Sequence, residues 1–209
     1  MTDKTLFKVA KLYTENLEKH GKNNSAVGWT TFESQLLRFK HLSSIVLGNE
    51  NKNITINDYG CGYGAHLDYL VDKLNLSVAH YNGYDISKEM LSSAKVHLLN
   101  HSCKKLFFND SIISTTADYS FVSGTFNVRF EENKKSWEEK IKIMLDNLNT
   151  FSEKGFAFNM LSTYVDWEET HLYYGDPLFW FDFCKKNFSK YVTLIHDYPL
   201  YEWTMLVRK

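Results

Sequence analysis

The sequence has little of what disulfide-bonded, metal-stapled or membrane-spanning chains require. Its 209 residues include three cysteines, Cys61, Cys103 and Cys184. So sparse and odd a set excludes a disulfide framework and a paired Cys-x-x-Cys metal motif, and no metal is expected. Only two prolines occur, Pro177 and Pro199, so regular elements can run long. No apolar run reads as a signal peptide or approaches the ~20 residues a membrane span needs. The expected compartment is therefore the cytosol, with no membrane partner. An excess of either charge is also missing. Lys and Arg number 24 against 25 Asp and Glu, a formal net charge of −1. That balance disfavours a generic phosphate-binding surface, so no nucleic-acid partner is expected. It leaves the oligomeric state undetermined.

What is present is an ordinary globular composition, 44% hydrophobic, with a high aromatic share of 16%. Many aromatics crowd the last third, among them Tyr164, Trp167, Tyr173, Tyr174, Phe179, Trp180, Phe181 and Phe183. They suit either a core or the wall of a pocket, since both are built from such side chains. Residues 1–50 read as a helical cap and residues 51–209 as the main domain, the two forming one structural unit. Leu6, Val9, Ala10, Tyr13 and Leu17 recur at helical spacing, and a polar break follows over 21–25. Thr30 and Glu33 form a candidate capping box for a second helix, with Phe32, Leu36, Phe39, Leu42 and Val46 on one face and Gly48 as its stop.

From residue 53 strands and helices alternate. Strands are predicted at 54–59, 78–85, 106–108, 119–123 and 155–161. Helices are predicted at 66–74, from Ser87 to about 99, around Trp137 to Leu148, and at 177–187. Such alternation implies βαβ units and a parallel sheet. Two last strands, 191–195 and 201–207, are joined by a turn too short for anything but antiparallel pairing. The fold class expected is α/β: a doubly wound, mostly parallel seven-stranded sheet with an antiparallel C-terminal hairpin, plus the N-terminal helices.

The densest chemical signal is Asp58-Tyr59-Gly60-Cys61-Gly62-Tyr63-Gly64, between an apolar strand and a helix. Glycines there permit tight backbone angles and close approach of a ligand to the main chain. The spacing is Gly-x-Gly-x-Gly. It is not the Gly-x-Gly-x-x-Gly of dinucleotide binding, and it lacks the Lys-Ser/Thr of a phosphate-binding P-loop. Asp85 closes the next strand, where a carboxylate can accept from both hydroxyls of a ribose. Together these features suggest a cofactor containing adenosine.

At this point the chain resembles the class I methyltransferases that use S-adenosylmethionine (SAM). The resemblance runs from about Asn53 to the C-terminus. "DYGCGYG" matches the family's first motif and "YNGYDIS" its second. "FFNDSI" looks like the third, and "FVSGTFN" falls where the fourth strand ends. The resemblance implies SAM as cofactor and S-adenosylhomocysteine as product. It places Tyr59, Gly60, Cys61, Gly62, Gly64, Asp85, Ile86, Met90, Asp110, Ser111 and Gly124 around SAM, with Asp110 at the adenine amino group. "GTFN" departs from the Asn/Asp-Pro-Pro-Tyr/Phe motif of many amino-methylating enzymes, which lowers the expectation of a nucleobase or glutamine acceptor.

Methyl transfer is an in-line displacement that needs alignment above all, and a base only when the acceptor must lose a proton. His171 is the candidate base, because imidazole titrates near neutrality, and its alternative is a loop histidine with no chemistry. Asn127, Arg129, Asn159, Tyr164, Tyr173 and Tyr174, with Ser162 and Asp176 nearby, lie where the family places its acceptor. Arg129 could hold an acidic acceptor or form a surface ion pair. In the N-terminal segment Trp29 could serve as a lid. Gln35 and Arg38 share one helix face, and Arg38 either reaches the SAM carboxylate or stays solvated. The expectation is an enzyme that methylates oxygen or nitrogen of a small-molecule acceptor. Its rivals are a protein or RNA methyltransferase, a non-catalytic SAM-binding module, and a nicotinamide-dependent oxidoreductase.

Overall fold

The computed structural model describes residues 4–28, 31–48 and 53–209. Trp29 and Thr30 lie outside the described residues. Two N-terminal helices come first, α1 (Lys4–His20) and α2 (Phe32–Ser43). Gly21, with φ 70°, ends α1 and donates its N–H to the Leu17 carbonyl. The capping box of α2 is built one position later than the sequence suggests. Thr31 Oγ1 accepts the Ser34 N–H at 3.1 Å, and Ser34 Oγ accepts the Thr31 N–H at 3.4 Å. Adjacent threonines at 30 and 31 make the two registers look alike. Gly48 does not stop the helix either. α2 ends at Ser43 and tightens into a 3-10 turn, Ser44–Val46, before Gly48 is reached.

Eight strands follow: β1 (Ile54–Tyr59), β2 (Val78–Tyr84), β3 (Lys104–Phe108), β4 (Ala117–Val122), β5 (Ser152–Ser162), β6 (Tyr174–Gly175), β7 (Tyr191–Ile195) and β8 (Glu202–Arg208). Between them lie α3 (Ala65–Asp68), α4 (Lys88–His97), α5 (Lys134–Phe151) and α6 (Pro177–Asn187). The sheet runs β3-β2-β1-β4-β5-β8-β7, parallel except for β8, and β6 adds a two-residue pairing to the end of β5. This is the doubly wound sheet with a C-terminal hairpin. The chain builds outward from β1 to β3, then crosses back to place β4 beside β1. The crevice beyond β1 and β4 is the switch point at which such sheets bind ligands.

Strand alternation fills a core on each face. Phe156, Phe158 and Met160 of β5 and Trp203, Met205 and Val207 of β8 pack with Trp137, Ile141, Leu145 and Leu148 of α5 and Trp180 of α6. Ala157 and Leu206 point the other way, toward Leu42, Leu67, Leu70, Leu91 and Leu98 under α2, α3 and α4. Burying a large apolar side chain contributes about 1.5–3 kcal/mol. The two buried indoles also satisfy their N–H groups, Trp203 on the Gly175 carbonyl at 2.9 Å and Trp180 on the Tyr173 hydroxyl at 3.0 Å. At Gly155, φ 146°, β5 and β8 come so close that a Cβ would lie 2.2 Å from the Val207 carbonyl oxygen. Among the described residues, no helix is long and apolar enough to cross a membrane.

Candidate cofactor and active site

The glycine loop sits at the carboxyl end of β1. Gly60 and Gly62 have φ of 73° and 54°, where side chains are strained. A Cβ on Gly60 would lie 2.2 Å from Thr125 Oγ1, and one on Gly62 would lie 2.9 Å from Val27 Cγ1. The second glycine is thus pressed against the segment before α2, so its side-chain direction faces protein. Gly64 starts α3 and packs on Leu98 just after α4, its Cβ position 2.5 Å from Leu98 Cδ1. The N–H groups of Gly60 and Cys61 both donate to the Tyr84 carbonyl, at 2.8 and 3.0 Å, which locks the loop to the end of β2.

Asp85 follows directly. Its Oδ2 accepts from Gly62 N–H at 2.9 Å and its Oδ1 from Ser87 N–H at 2.8 Å. Burial raises its pKa to about 6, against the pull of those N–H groups. At the end of β3, Asp110 Oδ1 caps the N–H groups of Ser111 and Ile112 at 2.7 and 3.1 Å. The Tyr59 hydroxyl donates to the Ser111 carbonyl at 3.1 Å, joining the first and third loops.

These loops line a cleft of about 260 Å³. Tyr59, Gly60, Gly62, Asp85, Ile86, Met90, Asp110 and Ser111 contribute to it, beside Ser123 and Thr125 after β4. Its other walls are mostly apolar, Leu6, Val9 and Tyr13 of α1 with Trp137, Ile141 and Met144 of α5, and Lys140 of α5 also lines it. α1 spans the cleft like a strap. Thr14 Oγ1 meets Ser87 Oγ at 2.9 Å near one end, and at the other Thr5 donates to Glu132 at 2.7 Å and Lys8 to Glu131 at 2.6 Å. Burial and the charge of Asp85 push the Tyr13 hydroxyl up to about 12, so it remains a neutral donor.

A second cavity, about 30 Å³, adjoins the first and shares Val27, Gly60 and Ser123 with it. Gln35, Asp58, Cys61, Tyr63 and His66 also line it. Three buried atoms there have no hydrogen-bond partner among the described residues: Gln35 Oε1, His66 Nδ1 and Ser123 Oγ. Unpaired polar atoms at such depth cost about 1–3 kcal/mol each unless a ligand meets them. Asp58 accepts from the Tyr81 hydroxyl at 2.7 Å, and burial lifts its pKa to about 7. Desolvation lowers His66 to about 3, so the ring is neutral. The Cys61 thiol is pushed well up by burial and by Asp85, which leaves no thiolate to act as nucleophile.

Several residues expected at the site are engaged elsewhere. Arg38 is buried against Glu202, its Nε 2.8 and 2.9 Å from the two carboxylate oxygens and its terminal nitrogen 2.6 Å from one of them. Glu202 also accepts from Asn159 Nδ2 at 2.9 Å, while Asn159 Oδ1 holds the Gly124 N–H at 2.7 Å. Arg38 therefore does not face the cofactor cleft as a carboxylate ligand; its charge is committed to this pair. Asn127 Oδ1 accepts the Leu161 N–H at 3.1 Å. Arg129 binds the carbonyls of Leu172 and Glu132 at 3.0 and 2.7 Å and holds a loop rather than an acceptor. The Tyr173 hydroxyl donates to Glu138 at 3.2 Å, and that of Tyr174 accepts from the Glu169 N–H at 3.0 Å. Tyr164 is 64% exposed, with its ring 5.7 Å from that of His196. His171 is exposed and lines neither cavity; its carbonyl accepts from the N–H groups of Arg129 and Phe130. Gly64 and Gly124 line neither cavity, and Trp29 lies outside the described residues.

Other contributors were not singled out by sequence: Tyr13, Val27, His66, Ser123, Thr125 and Trp137. The stripe Leu6-Val9-Tyr13 announces a buried helix face without saying what it covers.

A glycine loop at the switch point, an acid after β2 and a strapped apolar cleft define a nucleoside-cofactor enzyme of the doubly wound class. No family profile matches the sequence. A Mycobacterium tuberculosis protein, "Putative methyltransferase Rv1506c", is 45% identical over 157 residues, spanning 74% of this chain and 93% of that protein. Among solved structures, the magnesium protoporphyrin IX methyltransferase of Synechocystis PCC 6803, with bound S-adenosylhomocysteine, superposes with a TM-score of 0.67 at 14% identity, covering 99% of this chain and 100% of that one. A SAM-dependent methyltransferase from Leishmania major gives a TM-score of 0.68 at 16% identity, covering 98% of this chain and 82% of that one.

The chain belongs to the methyltransferases, as that relative does, and its fold is the one SAM-dependent methyltransferases share. That membership makes it an enzyme, and the cofactor whose fit the cleft can test is SAM, whose product S-adenosylhomocysteine the Synechocystis structure holds. The residues present fit that molecule. Asp85 lies beside the glycine loop, and an apolar wall faces it for the adenine. The orphaned polar atoms of the small cavity suit an amino-acid head group that both donates and accepts.

Proposed function

We propose that the enzyme methylates an oxygen or nitrogen of a small, largely apolar acceptor held beneath α1. The observation that carries this reading is the cleft itself. Leu6, Val9, Trp137, Ile141 and Met144 form its walls, and α1 closes over it. A macromolecular acceptor needs an open groove, whereas this cleft is strapped at both ends by side-chain bonds. The near-zero net charge points the same way.

SAM, when bound, would supply a sulfonium-bound methyl group whose carbon an acceptor lone pair could attack in line, with S-adenosylhomocysteine leaving with the C–S electron pair. The rest is positioning by the chain. Asp85, beside the Gly62 N–H it now accepts from, would hold the ribose hydroxyls. Asp110, Ser111 and Ile112 flank the adenine. Gln35, Asp58, His66 and Ser123 receive the amino-acid head, Asp58 taking the ammonium side. α1 and α5 exclude water and press the acceptor toward the methyl. The neutral Tyr13 hydroxyl is the polar group of the strap closest in role to an acceptor-orienting donor. With His171 outside the cleft, the acceptor is one that releases its proton to solvent, such as a phenol or carboxylic acid, or an amine that attacks as the free base.

The test is calorimetric titration with SAM and with S-adenosylhomocysteine, followed by label transfer from methyl-labelled SAM. Expected are micromolar binding of both and label in an extractable small-molecule fraction of a cell lysate. Label found only in protein or RNA overturns the acceptor class. Tight SAM binding with no transfer to any fraction indicates a binding module.

A further inference from the structure

The helix after the glycine loop changes its winding. α3 passes at Tyr69–Lys73 into a π-helical turn, a rare form that concentrates at functional positions. Asp68 ends the α-helical part and Asp72 lies one turn on, within the π turn. Two histidines face them from the end of α4. His97 Nε2 lies 2.5 Å from Asp68 Oδ2, and His101 Nε2 lies 2.7 Å from Asp68 Oδ1. One donor atom each from Asp68, Asp72 and His101 falls within 4.8 Å of the others.

We propose that Asp68, Asp72 and His101 bind a divalent first-row metal ion, with zinc the best match, and that His97 positions Asp68 through its second oxygen. The donor set is two carboxylate oxygens and one imidazole nitrogen. Zinc takes such ligands at about 2.0–2.2 Å and tetrahedrally, which puts neighbouring donors roughly 3.4 Å apart. The donors now spread up to 4.8 Å, so binding requires side-chain rotation to bring them to that spacing. Two carboxylates balance a divalent charge, and water completes the fourth position. Calcium or magnesium would demand more oxygen ligands than the cluster offers. Bonding from a further side chain to a ligating carboxylate is the usual outer-sphere support, and His97 supplies it.

The site is separate from the cofactor cleft, as none of its three ligands lines either cavity. Its place in the fold indicates its role. α3 starts at the glycine loop and α4 starts just after Asp85, so an ion here fastens together the two helices that leave the cofactor loops. The His97 ring also meets the Tyr63 ring edge-on at 5.4 Å, and Tyr63 lines the smaller cavity. No Cys-x-x-Cys signature exists, because the ligands are two carboxylates from the helix after the glycine loop and an imidazole from the segment that follows α4.

Chelator-treated full-length protein should be titrated with Zn²⁺ by calorimetry and melted with and without it, and Co²⁺ should be added as a spectroscopic probe. Expected are one equivalent of bound zinc, a higher Tm, and the visible bands of four-coordinate cobalt. Asp72→Asn and His101→Ala should each weaken zinc at least tenfold. Asp72→Asn keeps both histidine–Asp68 bonds, so its metal-free Tm should match that of the parent, which separates lost binding from lost folding. Absence of zinc binding by the parent, or equal zinc affinity in parent and both variants, overturns the proposal.

Discussion

Replacing Arg38 by Met distinguishes a buried structural pair from a cofactor ligand. Arg38 is 7% exposed and Glu202 is 1% exposed, and they meet through three contacts of 2.6–2.9 Å. Met keeps much of the side-chain volume but leaves the Glu202 carboxylate buried with only the Asn159 amide of the bonds described above. Breaking a buried pair from one side costs about 3–5 kcal/mol. For a domain of this size each kcal/mol moves Tm by about 2–4 °C, so the melt should fall by roughly 6–20 °C. The double variant Arg38→Met/Glu202→Leu removes both charges. Apolar replacement of a whole buried pair is often neutral or stabilising, so most of the loss should return. SAM affinity, measured by calorimetry below the melting range, should stay within a few-fold of the parent in the double variant. A cofactor-binding Arg38 predicts the reverse: little change in Tm, and an affinity loss that Glu202→Leu cannot repair. That pattern would refute the structural assignment.

Four further outcomes follow from the same geometry. Asp85→Ala should weaken SAM by about 1–3 kcal/mol, since ribose hydroxyls lose a buried charged acceptor, and unchanged calorimetric affinity would remove Asp85 from the site. Gly62→Val should abolish SAM binding, because φ 54° strains a branched residue and its Cβ meets Val27; a folded variant with normal affinity would contradict this. Asp58 has a folded pKa of about 7, above its ordinary value, so its stabilising contribution is complete below about pH 4 and is lost as pH rises through 7. Denaturant melts without SAM should therefore show the parent losing stability relative to Asp58→Asn between pH 5 and pH 8, by up to about 1.4 kcal/mol per pH unit, and parallel curves would rule the shift out. His171→Ala should keep turnover near the parental rate in the label-transfer assay, whereas a hundredfold fall would restore it as base.

Local signals carried most of the fold. α6 was legible because Pro177 stands at its first turn and Asp176 caps it, with Oδ1 accepting two N–H groups at 2.8 and 3.3 Å. β6 was not legible, because two residues hold no period. The π turn was hidden for a different reason. Leu67, Leu70, Val71 and Leu74 present the same apolar face whether the backbone bonds at i+4 or i+5, so patterning cannot separate the two. The loops that line the larger cleft were readable since Gly60 and Gly62 belong to one contiguous motif and Asp85 closes the next strand.

The polar residues after β4 and β5 were misplaced because one chemistry serves two ends. Arg129, Asn127 and Asn159 sit near the carboxyl edge of the sheet, as acceptor-binding residues would, yet they hold the N–H and carbonyl groups of neighbouring loops. A strand end leaves such groups to be satisfied whether or not a ligand is near. What separates a binder from a brace is whether its polar atoms are already matched. Gln35, His66 and Ser123 each keep one buried atom unmatched and converge from three distant segments, while Arg129 shows two of its nitrogens matched. That difference exists only once the partners are in place, so the small cavity proposed for the head group could be found by three-dimensional accounting of donors and acceptors, and by no motif.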